Sequence, residues 1–140
     1  MSDADVLARE AIDQLQIAGV ITRMAHVCDM GNLDEYDQFF TADASCGPPS
    51  ATVRGLAAII EGSKAHRAAG TTGPGSGTRH VITTVAVSLT GADTAEADSY
   101  WQIYEQATGV PTVRAMGAYR DSFRRELAGW RIAEREVTVD

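Results

Sequence analysis

Asp29 and His80 are the side chains of this sequence best suited to moving a proton. Imidazole exchanges protons near neutral pH more readily than any other unperturbed side chain. A carboxylate held against it would fix its tautomer, orient the ring and stabilise the charge it acquires. Asp29 falls on the last turn of a helix-patterned stretch, where the macrodipole disfavours an acid. A badly placed charge beside an apolar face is a first pointer to function. His80 falls near the start of a strand-patterned stretch, on one face with Ile82, Thr84 and Ala86. The plain alternative is a strand histidine bonded to some neighbour and an aspartate solvated at a helix end.

Two further groups carry possible chemistry. Glu105 would share a strand face with Ser99, Trp101 and Ile103, either as a buried carboxylate or as a strand-end charge in water. Tyr119, on a face with Ala115, Gly117 and Phe123, would donate to a substrate oxygen or simply pack. His26 reads as a surface or interface residue and His66 as exposed. Three scattered histidines without ligand spacing point to no metal site. There is no phosphate-binding loop, dinucleotide fingerprint or GxSxG elbow, so no cofactor is implied.

The elements that must position these residues follow from periodicity. Ile17, Ile21, Met24 and Cys28 fall on one face of a 3.6-residue helix, and Ala18, Val20, Ala25 and Val27 widen it until a buried helix is expected. Ser2 or Asp3 caps its start, and Gly31 suits a left-handed C-terminal position. Asn32 or Asp34 caps a short helix carrying Tyr36, Phe39 and Phe40. The segment 41–49 reads as turns, 51–54 as a short edge strand and 55–69 as a third helix. Gly70 to Gly77 is the most flexible stretch by composition, either a pocket-mouth loop or a plain solvent loop. Four strands follow, at 78–89, 95–106, 113–127 and 130–139. In the first, Val81, Thr83, Val85, Val87 and Leu89 would oppose the His80 face. Helices first and an antiparallel meander after them give an α+β domain with a pocket between sheet and helices.

Bulk properties agree with one globular domain over residues 1–140. The chain is 44% hydrophobic and 22% charged with a formal charge of −7. That composition argues against disorder, and the acidity argues against nucleic acid and anionic membranes. Two cysteines, Cys28 and Cys46, make no secreted scaffold, and no signal peptide or spanning segment is visible. A cytoplasmic protein is expected. An exposed sheet face bearing Val81, Val85 and Val87 would need cover, so a homo-oligomer (dimer or trimer) is expected too.

Three segments, CDMGNLDEYDQFFTADA, GTRHVITTVAV with the turn GADTAEADSYW, and GAYRDSFRRELAGWRIAER, resemble the SnoaL-like branch of the nuclear-transport-factor-2-like superfamily. They cover nearly the whole chain in order. The resemblance implies a cone-shaped α+β barrel, a curved, mixed but mostly antiparallel sheet wrapped on three helices. Scytalone dehydratase, bile-acid 7α-dehydratase and hexachlorocyclohexane dehydrochlorinase share a His–Asp dyad whose members match His80 and Asp29. There the imidazole removes a proton from carbon and hydroxide or halide leaves. Arg135 matches a functional arginine of the dehydrochlorinase, fit to receive a leaving anion; alternatively it pairs with Glu134, Glu136 or another carboxylate. The chain departs from scytalone dehydratase where Cys28 and the Pro48 region replace its tyrosines, Glu105 a histidine and Tyr119 an asparagine. Ketosteroid isomerase is laid out differently, its donor and base aligning near Met24 and Pro48.

The expected function is therefore a cofactor-independent lyase acting on a small, largely apolar cyclic molecule, with pocket walls from Ile21, Met24, Ile82 and Trp101. A polyketide cyclase or isomerase of the SnoaL type, and a non-catalytic binding or assembly subunit, are the alternatives.

Overall fold

The computed structural model describes residues 1–106 and 109–140. Helix α1 (Asp3–Met30) opens on Ser2, whose hydroxyl accepts from the Asp5 amide while the Asp5 carboxylate accepts from Ser2. This reciprocal cap satisfies two orphan donors. A 3₁₀ helix (Leu33–Gln38) follows, capped by Asn32 through the Asp34 amide. Strand β1 (Phe40–Gly47), a single 3₁₀ turn (Pro49–Ala51), β2 (Val53–Arg54) and helix α2 (Leu56–Ala68) come next. Strands β3 (Thr78–Leu89), β4 (Thr94–Glu105), β5 (Thr112–Glu126) and β6 (Gly129–Val139) complete the chain.

All six strands form one sheet in the order β2-β1-β6-β5-β4-β3. Every pairing is antiparallel except β1 with β6. Helices and sheet enclose the core: Ile17, Val20, Ile21 and Met24 of α1 meet Phe39, Phe40, Phe123, Trp130 and Ile132. Each such side chain contributes about 1.5–3 kcal/mol by leaving water. Strand β4 shows the period plainly, with Ala95, Ala97, Ser99 and Trp101 buried and Glu96, Asp98 and Tyr100 exposed. No helix among the described residues is long and apolar enough to cross a membrane.

Four expectations are corrected. Helix α1 is buried along one face only; Leu7, Ile12 and Leu15 lie on the surface. Gly31 is extended, at φ −102° and ψ −169°, and is required instead by close approach, since a Cβ would lie 2.9 Å from Val27 Cα. The segment expected as turns forms β1, whose burial against β6 overrides its weak local signal.

The fourth lies in β3. Thr83 pairs with Tyr100 and Ala86 with Asp98, so β3 carries one extra residue. The bulge centres on Thr84, the one non-glycine described residue with positive φ, at 55°. One extra residue turns every later side chain to the other face. His80 and Ile82 therefore face inward before it, and Val87 and Leu89 pack on the core after it. Thr84 and Ala86 are exposed instead of sharing the His80 face, and Val87 leaves the outer set with Val81 and Val85.

Candidate active site

Asp29 sits at the C-terminal end of α1 and is 6% exposed. Its Oδ2 accepts the backbone N–H of His80 at 2.9 Å, and its Oδ1 lies 2.7 Å from His80 Nδ1. Against a carboxylate oxygen, Nδ1 must be the protonated nitrogen. The carboxylate thus holds both the strand and the ring, and leaves Nε2 with its lone pair. Helix α1 has no basic residue in its last turn. The missing cation comes from α2: Arg67 Nη2 donates to the carbonyls of Val27 at 2.7 Å and Cys28 at 3.1 Å. It adds a second donor to the Val27 carbonyl, which already accepts from the Gly31 amide, supplies one to the Cys28 carbonyl and balances the dipole beside Asp29.

A cavity of about 440 Å³ lies between α1, α2 and the sheet, a volume suited to a small organic molecule. Its walls are mostly apolar and include Ile21, Met24, Ile82, Trp101 and Ile103. The polar lining is sparse: Cys28, Tyr36, Cys46, Ser63, His66, His80, Tyr119 and Arg135. It opens where Pro48, Ala51, Ala58 and Val139 are exposed. His80 borders a second cleft of about 460 Å³ on the other side, lined also by Thr22, His26, Asp29 and Arg79. Asp29 borders only that rear cleft, and the imidazole stands between it and the cavity.

On the cavity wall, Tyr119 stacks on Trp101 with centroids 6.1 Å apart, and the Arg135 guanidinium carbon lies 3.8 Å from the Tyr119 ring centre. Burial pushes the Tyr119 hydroxyl up to about 12, against the opposing pull of Arg135, so it stays protonated at neutral pH. Burial likewise raises the Tyr36 hydroxyl and the Cys28 and Cys46 thiols. Arg135 is bound by Asp121, with Nε donating to Oδ1 at 2.7 Å and Nη2 to Oδ2 at 2.9 Å. Burial works against its charge and the Asp121 carboxylate outweighs burial, holding Arg135 above the usual arginine range.

The structure brings Asp29 and His80 together and places Arg135, Tyr119, Trp101, Met24 and Ile82 around the cavity that His80 borders. Glu105 is the exception. It ends β4, is about one-third exposed beside Arg114 at 3.8 Å, and does not line the cavity. None of residues 70–77 lines the cavity either; Gly73 packs on Arg67 instead, where a Cβ would lie 2.7 Å from Cγ. Two buried carboxylates escaped the sequence reading, Asp121 and Asp13. Asp13 takes both Nη atoms of Arg125 at 2.9 and 2.7 Å and the Trp130 indole N–H at 3.2 Å. Its one sequence signal was an acid on the core-facing side of α1, in step with Ile17 and Met24.

Ligand atoms of Cys28, Asp29 and His80 all lie within 4.8 Å of one another. The 2.7 Å separation of Nδ1 and Oδ1 is that of a hydrogen bond. Two ligands of one tetrahedral zinc ion stand roughly 3.3 Å apart, from bond lengths near 2 Å. As placed, the pair holds a proton.

A family model described as a SnoaL-like domain matches residues 9–136. Among solved structures, a nuclear-transport-factor-2-like protein with a cystatin-like fold from Novosphingobium aromaticivorans is similar at 26% identity and TM-score 0.79, covering 99% of this chain and 90% of its own. A Streptomyces avermitilis protein of the same family, named provisionally as a dehydratase, is similar at 19% identity and TM-score 0.76, covering 93% and 98%. A second Novosphingobium aromaticivorans protein, named provisionally as a scytalone dehydratase, is similar at 17% identity and TM-score 0.68, covering 100% and 89%. No curated protein matches the chain.

Proposed function

From the chain's membership of the SnoaL-like domain family, we propose a single-domain, cofactor-independent lyase of the dehydratase or dehydrohalogenase type, acting on a small, largely apolar cyclic molecule. The observation that carries the reading is the 2.7 Å Asp29–His80 contact, with His80 on the wall of an apolar cavity. His80 Nε2 removes a proton from a carbon next to an activating carbonyl. The C–H electron pair becomes the new carbon–carbon π bond, and the β substituent departs with its own bonding pair. When that substituent is hydroxide, it takes the proton back from the imidazolium and leaves as water, restoring the base. Asp29 keeps the ring in the reactive tautomer. Arg135 and the neutral Tyr119 hydroxyl steady oxygen as charge develops on it. The dehydratase names of the two structural relatives at 19% and 17% identity agree with this reaction class.

An available probe is 3-hydroxy-1-tetralone, which loses one water to give 1-naphthol. The wild-type protein should form naphthol above the buffer rate, and His80→Ala should abolish the excess while keeping its circular dichroism. Equal rates in wild type and His80→Ala would remove the dyad from the account. Exchange of α protons without naphthol formation would point to the cyclase or isomerase reading.

A further inference from the structure

We propose that Asp121 sets the charge class of the ligand: the cavity takes a neutral, largely apolar molecule with an oxygen acceptor and excludes carboxylates. The proposal rests on reading the cavity as a ligand site, and not on the chemistry assigned to His80. A buried arginine on a pocket wall ordinarily marks an anion site, because its fork matches a carboxylate with two parallel bonds. Here the Nε–Nη2 edge of the fork is already filled by Asp121. Both partners are buried, at 5% and 0% exposure. Arg135 lines the cavity and Asp121 does not. A ligand therefore meets a guanidinium already neutralised from behind.

Two of the five guanidinium N–H bonds are taken by Asp121; both N–H bonds of Nη1 and the second of Nη2 have no hydrogen-bond partner among the described residues. With the charge already balanced by Asp121, these donors suit a neutral carbonyl, hydroxyl or ether oxygen. Arg135 is also the only arginine or lysine among the residues lining the cavity, so no second fixed cation compensates an entering anion. The Tyr119 hydroxyl is a neutral partner at the same wall. A carboxylate entering this space would lose its water shell and meet donors of an arginine whose charge is already balanced, with the Asp121 charge behind them.

The test uses two probes of nearly one shape, 2-acetylnaphthalene and 2-naphthoate, which differ by a methyl group against a charged oxygen. Binding is measured by titration calorimetry on the full chain at about pH 8, where naphthoate is ionised. The wild type should bind the ketone at least about tenfold more tightly than naphthoate, and Asp121→Asn should tighten naphthoate by at least about tenfold. Asp121→Asn leaves a buried cation unpaired and can fail to fold, so the double variant Asp121→Asn/Arg135→Gln is measured beside it. That neutral pair should keep the ketone preference, with naphthoate within about threefold of wild type. The proposal is overturned by wild-type preference for naphthoate, by an unchanged ratio in a folded Asp121→Asn, or by a tenfold weakening of naphthoate in the double variant. Binding of neither probe also overturns it. None of these readouts involves turnover, so they fail independently of the His80 elimination test.

Discussion

Replacing Asp29 with asparagine should invert the protonation pattern of His80. The wild-type carboxylate accepts twice, from the His80 amide at 2.9 Å and from Nδ1 at 2.7 Å. Asparagine has one acceptor oxygen and one NH₂ donor. If its oxygen keeps the backbone N–H, its NH₂ faces Nδ1. That nitrogen must then accept, and the proton moves to Nε2, the atom proposed as the base. The side chains of Asp29 and His80 are only 9% and 12% exposed, so water offers little escape from this choice. A positioned general base contributes about 10²–10⁴-fold to rate, which corresponds to about 3–5 kcal/mol of barrier. The fold should lose less, about 1–2 kcal/mol, as charged hydrogen bonds become neutral ones. Naphthol formation from 3-hydroxy-1-tetralone gives the rate, nitrogen-15 shifts of His80 give the tautomer, and urea unfolding gives the stability. A variant that keeps Nδ1–H and a rate within about threefold of wild type would refute the tautomer argument.

Three further outcomes concern stability. Asp13→Ala removes two guanidinium bonds and one indole bond, and should cost about 2 kcal/mol in urea unfolding, since Arg125 keeps Asp93 and the Ala92 carbonyl. Hydrogen bonding from Arg125 holds the Asp13 carboxyl below its ordinary value of 3.8. Its contribution is therefore complete above that pH and fades as pH falls through the lower folded value, so the gap between wild type and variant should narrow only there. Gly117→Ala would place a Cβ 1.9 Å from the Thr138 carbonyl oxygen and 2.7 Å from the Trp101 ring; a loss of at least about 2 kcal/mol and altered tryptophan emission are expected. Thr84→Gly should raise the melting temperature, because relief of the left-handed backbone, about 1–3 kcal/mol, exceeds the entropy glycine adds.

The long strands were legible because each alternates over ten or more residues, and both caps because Ser2 and Asn32 are followed by acids. The Asp29–His80 pairing was legible only with the resemblance, since no local pattern links a helix end to a distant strand. Strand β1 escaped although Phe40, Ala42, Ala44 and Cys46 alternate with Thr41, Asp43 and Ser45, because its residues are mostly small and run into Gly47 and Pro48-Pro49, a turn-like composition; its place is set by β6, far along the chain. The bulge at Thr84 escaped because an added residue leaves the composition of β3 unchanged while reversing its faces. Asp121 escaped because its strand reads as polar, RDSFRRE, and only the fold shows that it points at Arg135. The breadth of apolar residues on α1 misled in the other direction, suggesting burial for a helix that exposes Leu7, Ile12 and Leu15.

The imidazole of His80 forms part of two walls, one of the cavity between helices and sheet and one of the rear cleft where Asp29 lies. In the proposed reaction a departing hydroxide resets the base itself, whereas a departing halide would leave the imidazolium proton to be lost to water. In that second case the rear cleft would give the ring a path to bulk water while the cavity is still full. Regeneration and product release would then be separate events, and the two sides of the ring could be altered independently: Thr22, His26 and Arg79 border the cleft and not the cavity.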